Sequence, residues 1–157
     1  MIDIISDEGI VALLDAQSAE KAVQTSCWMA KQLKKPVLCL RFASDDAVQT
    51  CNRTWREQDK VTDVLSFPMF EAADIIDGEH LGDIIFATDF IVQESQRLHL
   101  SPADHACHLL VHSTLHLLGY DHIEDAQAQT MQALENDIMQ HLDLHLPYPE
   151  IHTTSLS

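Results

Sequence analysis

The segment from Ser101 to His122 constrains this chain more than any other. Ser101-Pro102 reads as a helix start: the serine offers an N-cap oxygen, and the proline, which has no N–H, sits at the first helical position. The helix is predicted to run to Leu118. Gly119 then stops it, because glycine takes positive φ at little cost and can turn the chain sharply. His105, His108, His112 and His116 all lie on this one helix.

His112 and His116 are i and i+4, so their rings share a face one turn apart. The turn at Gly119 can return His122 toward them. Three imidazoles leave one tetrahedral position of a zinc ion open for water, lower the pKa of that water to about 7, and let the ion polarise a substrate oxygen. An HxxxH pair alone is common on helix surfaces; the glycine turn and the third histidine make the pattern specific. The expectation is one zinc per chain, held by His112, His116 and His122, and metal-assisted hydrolysis. His108 could support the ligand rings from outside, although a histidine-rich core face is the default for His105 and His108. Asp121, beside His122, could orient a ligand ring or cap the turn. His141, His145 and His152 read as surface residues.

The spacing is also similar to the metzincin protease pattern HExxHxxGxxH. That chemistry needs a glutamate beside the first histidine as general base. Ser113 stands there, and a serine hydroxyl cannot serve near neutral pH, so peptide hydrolysis is disfavoured.

Elsewhere the pattern alternates. Ser18–Leu33 reads as an amphipathic helix with Ala22, Trp28, Met29 and Leu33 on its apolar face, ended by Pro36. Val37–Phe42 is a strand. Ser44-Asp45-Asp46 caps a helix to about Glu57. Val61–Met69 is a strand, residues 71–80 a loop with an Asp77-Gly78 turn, and Leu81–Ala87 another strand. Thr88-Asp89 caps a helix to about Leu98, and a last helix spans roughly Glu124–Leu142. The tail after about Pro147 is expected to fray. The 157 residues, 46% of them apolar, suit one domain. The fold class expected is α+β, with a small mixed β-sheet covered by helices.

The formal charge of −16 is uneven: residues 1–60 carry eight Lys/Arg against nine Asp/Glu, and residues 61–157 carry only Arg97 against sixteen. Broad nonspecific binding to nucleic acid is disfavoured. Phosphate contacts must use the small groups Lys31, Lys34, Lys35 and Arg53, Arg56, Lys60. Solubility explains most of the acidity, and a basic partner is a second use for it. The four cysteines form no CxxC pair and are expected to be free thiols. No apolar run reaches the length of about 18 residues that a membrane span needs. The acidic start lacks the form of a secretion signal, so a cytoplasmic location is expected.

Four segments, in order, resemble one family. His112-Ser113-Thr114-Leu115-His116-Leu117-Leu118-Gly119-Tyr120-Asp121-His122 is similar to the HGxLHLxGYDH signature of the YbeY endoribonucleases, or rRNA maturation factors. Asn52-Arg53-Thr54-Trp55-Arg56 resembles the family's LNxxYR helix, Thr62–Pro68 its TDVLSFP strand, and Leu81–Ile84 its LGDI strand. The resemblance covers about residues 37–142. It implies a zinc-dependent, single-strand-specific endoribonuclease that matures rRNA, notably the 3′ end of 16S rRNA, and takes part in ribosome quality control. It places the zinc ligands on His112, His116 and His122 and a functional arginine on Arg56. Three positions depart from the pattern: Ser113 for the usual Gly, Cys51 for Leu, and Trp55 for Tyr.

RNA cleavage needs a nucleophile, stabilisation of the phosphorane-like transition state and a proton for the leaving group. A guanidinium matches phosphate bidentately and keeps its charge, which suits Arg56 to substrate binding and catalysis; the alternative is a structural salt bridge. Asp63 and Asp83 are expected to serve packing or turns. Phe67, Phe70 and Trp55 could stack on bases, with core packing the default for each. Expected partners are single-stranded RNA and rRNA, and the small ribosomal subunit or its basic proteins. Two other readings keep the metal site: a zinc hydrolase of non-RNA substrates, and a non-catalytic, zinc-stabilised ribosome-assembly adaptor.

Overall fold

The computed structural model describes residues 1–121 and 123–151. Its elements are β1 (Ile2–Ser6), α1 (Ala16–Lys31), β2 (Val37–Ala43), α2 (Asp45–Arg56), β3 (Val64–Pro68), a 3-10 turn (Ala72–Asp74), β4 (His80–Ala87), α3 (Thr88–Arg97), α4 (Pro102–Leu117) and α5 (Asp125–His141). The sheet order is β1-β2-β4-β3, with β1, β2 and β4 parallel and β3 antiparallel to β4. This is the α+β architecture expected. β1 was not anticipated. It is a short, half-exposed edge strand, and only its pairing with β2 defines it.

β4 shows why the sheet is buried on both faces. Ile84 and Phe86 point into the main core with Leu38, Leu40 and Phe42 of β2, while Ile85 and Ala87 point into a second cluster with Val48 of α2 and Leu65 of β3. Phe42 and Phe86, paired in register, stack at 4.8 Å between ring centroids. α4 is buried over most of its circumference, and it packs centrally against α1, α3, α5 and β3. α1 buries Ala19, Ala22, Val23 and Cys27; Trp28, expected on that face, is 52% exposed, because it lies one residue beyond the buried i, i+4 stripe.

Gly82 lets α4 approach the sheet. At φ +155°, a Cβ there would meet the Phe67 carbonyl, and Leu117 Cδ2 at 2.7 Å. Of the tail expected to fray, residues 152–157 lie outside the described residues, and the chain up to Ile151 is tied to α5. Asn136 accepts from the Tyr148 N–H at 3.0 Å and donates to the Tyr148 and Ile151 carbonyls. Among the described residues no helix is long and apolar enough to cross a membrane.

Candidate active site

α4 begins as its sequence implies: Ser101 Oγ accepts from the Asp104 N–H at 3.0 Å, with Pro102 at the first helical position. It ends in a Schellman turn. Tyr120 N–H reaches the Leu115 carbonyl and Gly119 N–H the His116 carbonyl, with Gly119 at φ +99°. A Cβ on Gly119 would collide with Ala72 of the 3-10 turn, so the glycine allows both the turn and that contact.

The turn also fixes a ring. His116 Nδ1 lies 3.0 Å from the Tyr120 carbonyl, which can only accept, so Nδ1 donates and Nε2 carries the lone pair. His112 is set the same way by a carboxylate: its Nδ1 donates to Glu135 Oε1 at 3.1 Å. The two Nε2 atoms then face each other at 3.1 Å, the rings at 80°. Two lone pairs this close require a cation or proton between them. Tetrahedral zinc with Zn–N bonds of about 2.0–2.1 Å separates its donors by about 3.3 Å. The donor chemistry therefore fits a metal. The third expected ligand, His122, lies outside the described residues.

Glu135, on α5, is the residue that sequence reasoning missed. It is 1% exposed, and its Oε1 also accepts from His108 Nε2 at 2.8 Å and from the Tyr148 hydroxyl at 3.4 Å. Burial alone would raise its carboxyl pKa, but the hydrogen bonds and charges of His108 and His112 outweigh it and pull it down to about 2. Burial and the Glu135 charge push the Tyr148 hydroxyl the opposite way. A signal existed: Glu135 sits on the apolar stripe Met131, Leu134, Ile138, Leu142, and a carboxylate on a core face needs a partner. His108 thus touches the same carboxylate as His112. His145, expected at the surface, is half-buried with its ring 6.2 Å from His108, because the chain after α5 folds back over the histidine stripe. His141 is exposed, and His152 lies outside the described residues.

A second titratable group lies on the same cleft. Asp63, Glu94 and His105 bring ligand atoms within 4.8 Å of one another, a set that could hold a metal ion. His105 Nε2 is 2.6 Å from Glu94 Oε1. Burial, then the neighbouring Glu94 charge, push the Asp63 carboxyl above its ordinary range. Asp63 also serves the expected turn role, accepting from the Val64 N–H at 2.7 Å. Asp83 is exposed and pairs with His80.

One cleft of about 1010 Å³ gathers these parts: His105, His108, His112, His116, Asp121, Asp63 and Glu94 line it, with Arg56, Lys60 and Arg97 as its cations. Arg56 ends α2, where Glu57 turns the chain at φ +57° and the buried Asn52 holds the Lys60 carbonyl at 3.0 Å. Among the described residues Arg56 enters no ion pair, so the salt-bridge alternative has no partner there. Trp55 is 72% exposed, against the packing expected of it; Phe67 packs half-buried against the second cluster, and Phe70 is half-buried. Ser113 is fully buried and its hydroxyl has no partner among the described residues. Cys27 and Cys107 are buried free thiols, and burial raises their pKa values to about 12 and about 11.

The family model described as "Endoribonuclease YbeY" matches residues 6–143. The chain belongs to the YbeY family. An endoribonuclease YbeY of Rhizobium etli is 47% identical over 114 residues, covering 72% of this chain and 67% of its own. That of Azorhizobium caulinodans is 36% identical over 150 residues, covering 92% and 93%. The solution structure of TM1509 from Thermotoga maritima shares the fold, with a TM-score of 0.56 at 20% identity over 91% of this chain and 92% of that one. These YbeY relatives are named as endoribonucleases, and a nuclease is a hydrolase.

Proposed function

We propose that this chain is a zinc-dependent, single-strand-specific endoribonuclease that acts on rRNA, in 16S 3′-end maturation and ribosome quality control, in the cytoplasm. Its partners on this reading are single-stranded rRNA and the small ribosomal subunit or its basic proteins. The observation that carries the reading is the convergence of the His112 and His116 Nε2 atoms at 3.1 Å, in a cleft whose cations include Arg56. His112, His116 and His122 would hold the ion.

Zinc supplies Lewis acidity when bound. The chain's own residues do the rest. Glu135 and the Tyr120 carbonyl hold the His112 and His116 rings in the one tautomer that presents Nε2. Arg56, exposed and outside any ion pair described, can clamp a non-bridging phosphate oxygen and keeps its charge as the phosphorane-like state forms. Lys60 and Arg97 extend the positive edge along the cleft.

The test is cleavage of a short single-stranded RNA carrying a 16S 3′-end precursor sequence. Wild type, His116→Ala and Arg56→Ala are purified identically. Cleavage by wild type alone supports the reading. Equal cleavage by all three means a contaminating nuclease, and no cleavage by zinc-loaded wild type refutes the catalytic role.

A further inference from the structure

Trp55 is hard to explain as a packing residue. It sits in the last turn of α2 with 72% of its surface in solvent, while the cores of the molecule are close by. An indole exposed to that degree leaves a large apolar face in water, and such faces mark contacts made with something else.

Its surroundings are specific. Trp55, Arg56, Gln58, Ser66, Phe67 and Pro68 line a groove of about 450 Å³ between the end of α2 and the end of β3. Arg56, Gln58, Ser66 and Pro68 also line the large histidine cleft, so the groove opens directly into it. The platform is held from beneath. Asn52 is buried and bonds the Lys60 carbonyl, Gln58 N–H reaches the Asn52 carbonyl at 3.2 Å, and Phe67 packs on the second core cluster. Arg56 lines the groove and Lys60 the adjoining cleft, on a chain whose formal charge is −16, while Arg53 is paired with Asp59 at 3.4 Å. A cationic edge beside an exposed aromatic, on an otherwise acidic molecule, is complementary to an anion that carries flat apolar rings.

We infer that this groove is a nucleobase subsite, in which an unpaired base of the RNA stacks on the Trp55 indole while Arg56 holds the adjoining phosphate. The inference rests on the ribonuclease reading and adds how the strand is gripped. Stacking on an aromatic side chain is sequence-tolerant, because every base has a π-face, and it needs a base that is not already paired. The subsite therefore confers preference for single strands without reading sequence.

Two measurements test it. In a Trp28→Phe protein, Trp55 is the remaining tryptophan. A 2′-O-methyl oligoribonucleotide, checked to be intact after the measurement, is expected to quench its fluorescence, and a duplex of the same sequence is not. In cleavage assays, Trp55→Ala is expected to raise KM about tenfold with kcat within about twofold, and Trp55→Phe to restore most of the loss. An abasic residue placed in the substrate at the stacked position is expected to cost wild type the same factor and Trp55→Ala nothing further. Quenching by the intact strand supports the subsite even if no RNA is cut, so its fate is separable from that of the ribonuclease reading. Unchanged fluorescence together with an unchanged KM for Trp55→Ala overturns it, and the exposed indole then belongs to a protein contact.

Discussion

Replacing Glu135 by glutamine removes one charge and almost no volume. In the folded protein a single oxygen of Glu135 receives His108 Nε2 at 2.8 Å, His112 Nδ1 at 3.1 Å and the Tyr148 hydroxyl at 3.4 Å, at 1% exposure. Its carboxyl pKa lies at about 2 against an ordinary 4.5. That gap corresponds to about 3 kcal/mol of stability, at about 1.4 kcal/mol per pKa unit. The folded pKa is depressed, so the contribution is fully present above pH 4.5 and is lost as pH falls toward 2. The assay is urea unfolding of the metal-free protein at steps of pH across that window. Other carboxylates titrate in both proteins, so the difference between wild type and Glu135→Gln isolates this one. Wild type is expected to lose about 3 kcal/mol more than the variant. A second readout is zinc affinity by competition with a chromophoric chelator. Loss of the carboxylate behind His112 is expected to weaken binding by about 10- to 100-fold. Parallel pH curves and a zinc affinity within about twofold of wild type would refute the role assigned to Glu135.

Ser113→Ala removes a buried hydroxyl that has no partner among the described residues. It is expected to stabilise the fold by about 1 kcal/mol, read as a rise of about 2–4 °C in Tm. Gly82→Ala would push a methyl group against the Phe67 carbonyl and Leu117 Cδ2 and hold a non-glycine residue at φ +155°. A loss of about 3 kcal/mol in urea unfolding is expected, and a loss below about 0.5 kcal/mol would show that β3 and α4 yield easily. With Arg56, Lys60 and Arg97 as the cations of the cleft, log K for single-stranded RNA is expected to fall with log salt at a slope of about −2; a slope steeper than about −5 would require a second basic surface.

The helix that carries the histidines was legible because its determinants are local. Ser101, Pro102 and Gly119 mark its ends, and the i, i+4 spacing sets the face that His112 and His116 share. Long-range partners were not legible. Glu135 comes from a different helix, and Met131 and Ile138 on its stripe gave only the clue that a carboxylate lay on an apolar face. β1 escaped for a related reason. Ile2, Ile4 and Ile5 alternate poorly, and the strand exists through its ladder with Leu38–Phe42. Trp55 misled in the other direction. An aromatic in a helix is usually core, yet α2 buries only Val48 and Asn52 and leaves Trp55 72% exposed.

The acidity of the chain looks at first like an obstacle to acting on RNA, yet it sharpens the proposed selectivity. A broad basic face would bind duplex and single strand alike, since phosphate charge drives both and duplexes carry more of it per unit length. Here residues 61–157 contribute one cation, Arg97, and it lines the cleft. The carboxylates that share the cleft do not cancel that edge equally. Asp63, Glu94 and Asp121 line the cleft, and Glu94 lies 3.8 Å from the Arg97 guanidinium, so that cation is offset while Arg56 enters no ion pair among the described residues. With so little general attraction available, affinity must come from contacts that a duplex cannot make. An exposed indole beside a guanidinium that enters no ion pair among the described residues is such a contact, because it acts only on a strand with a base free to stack.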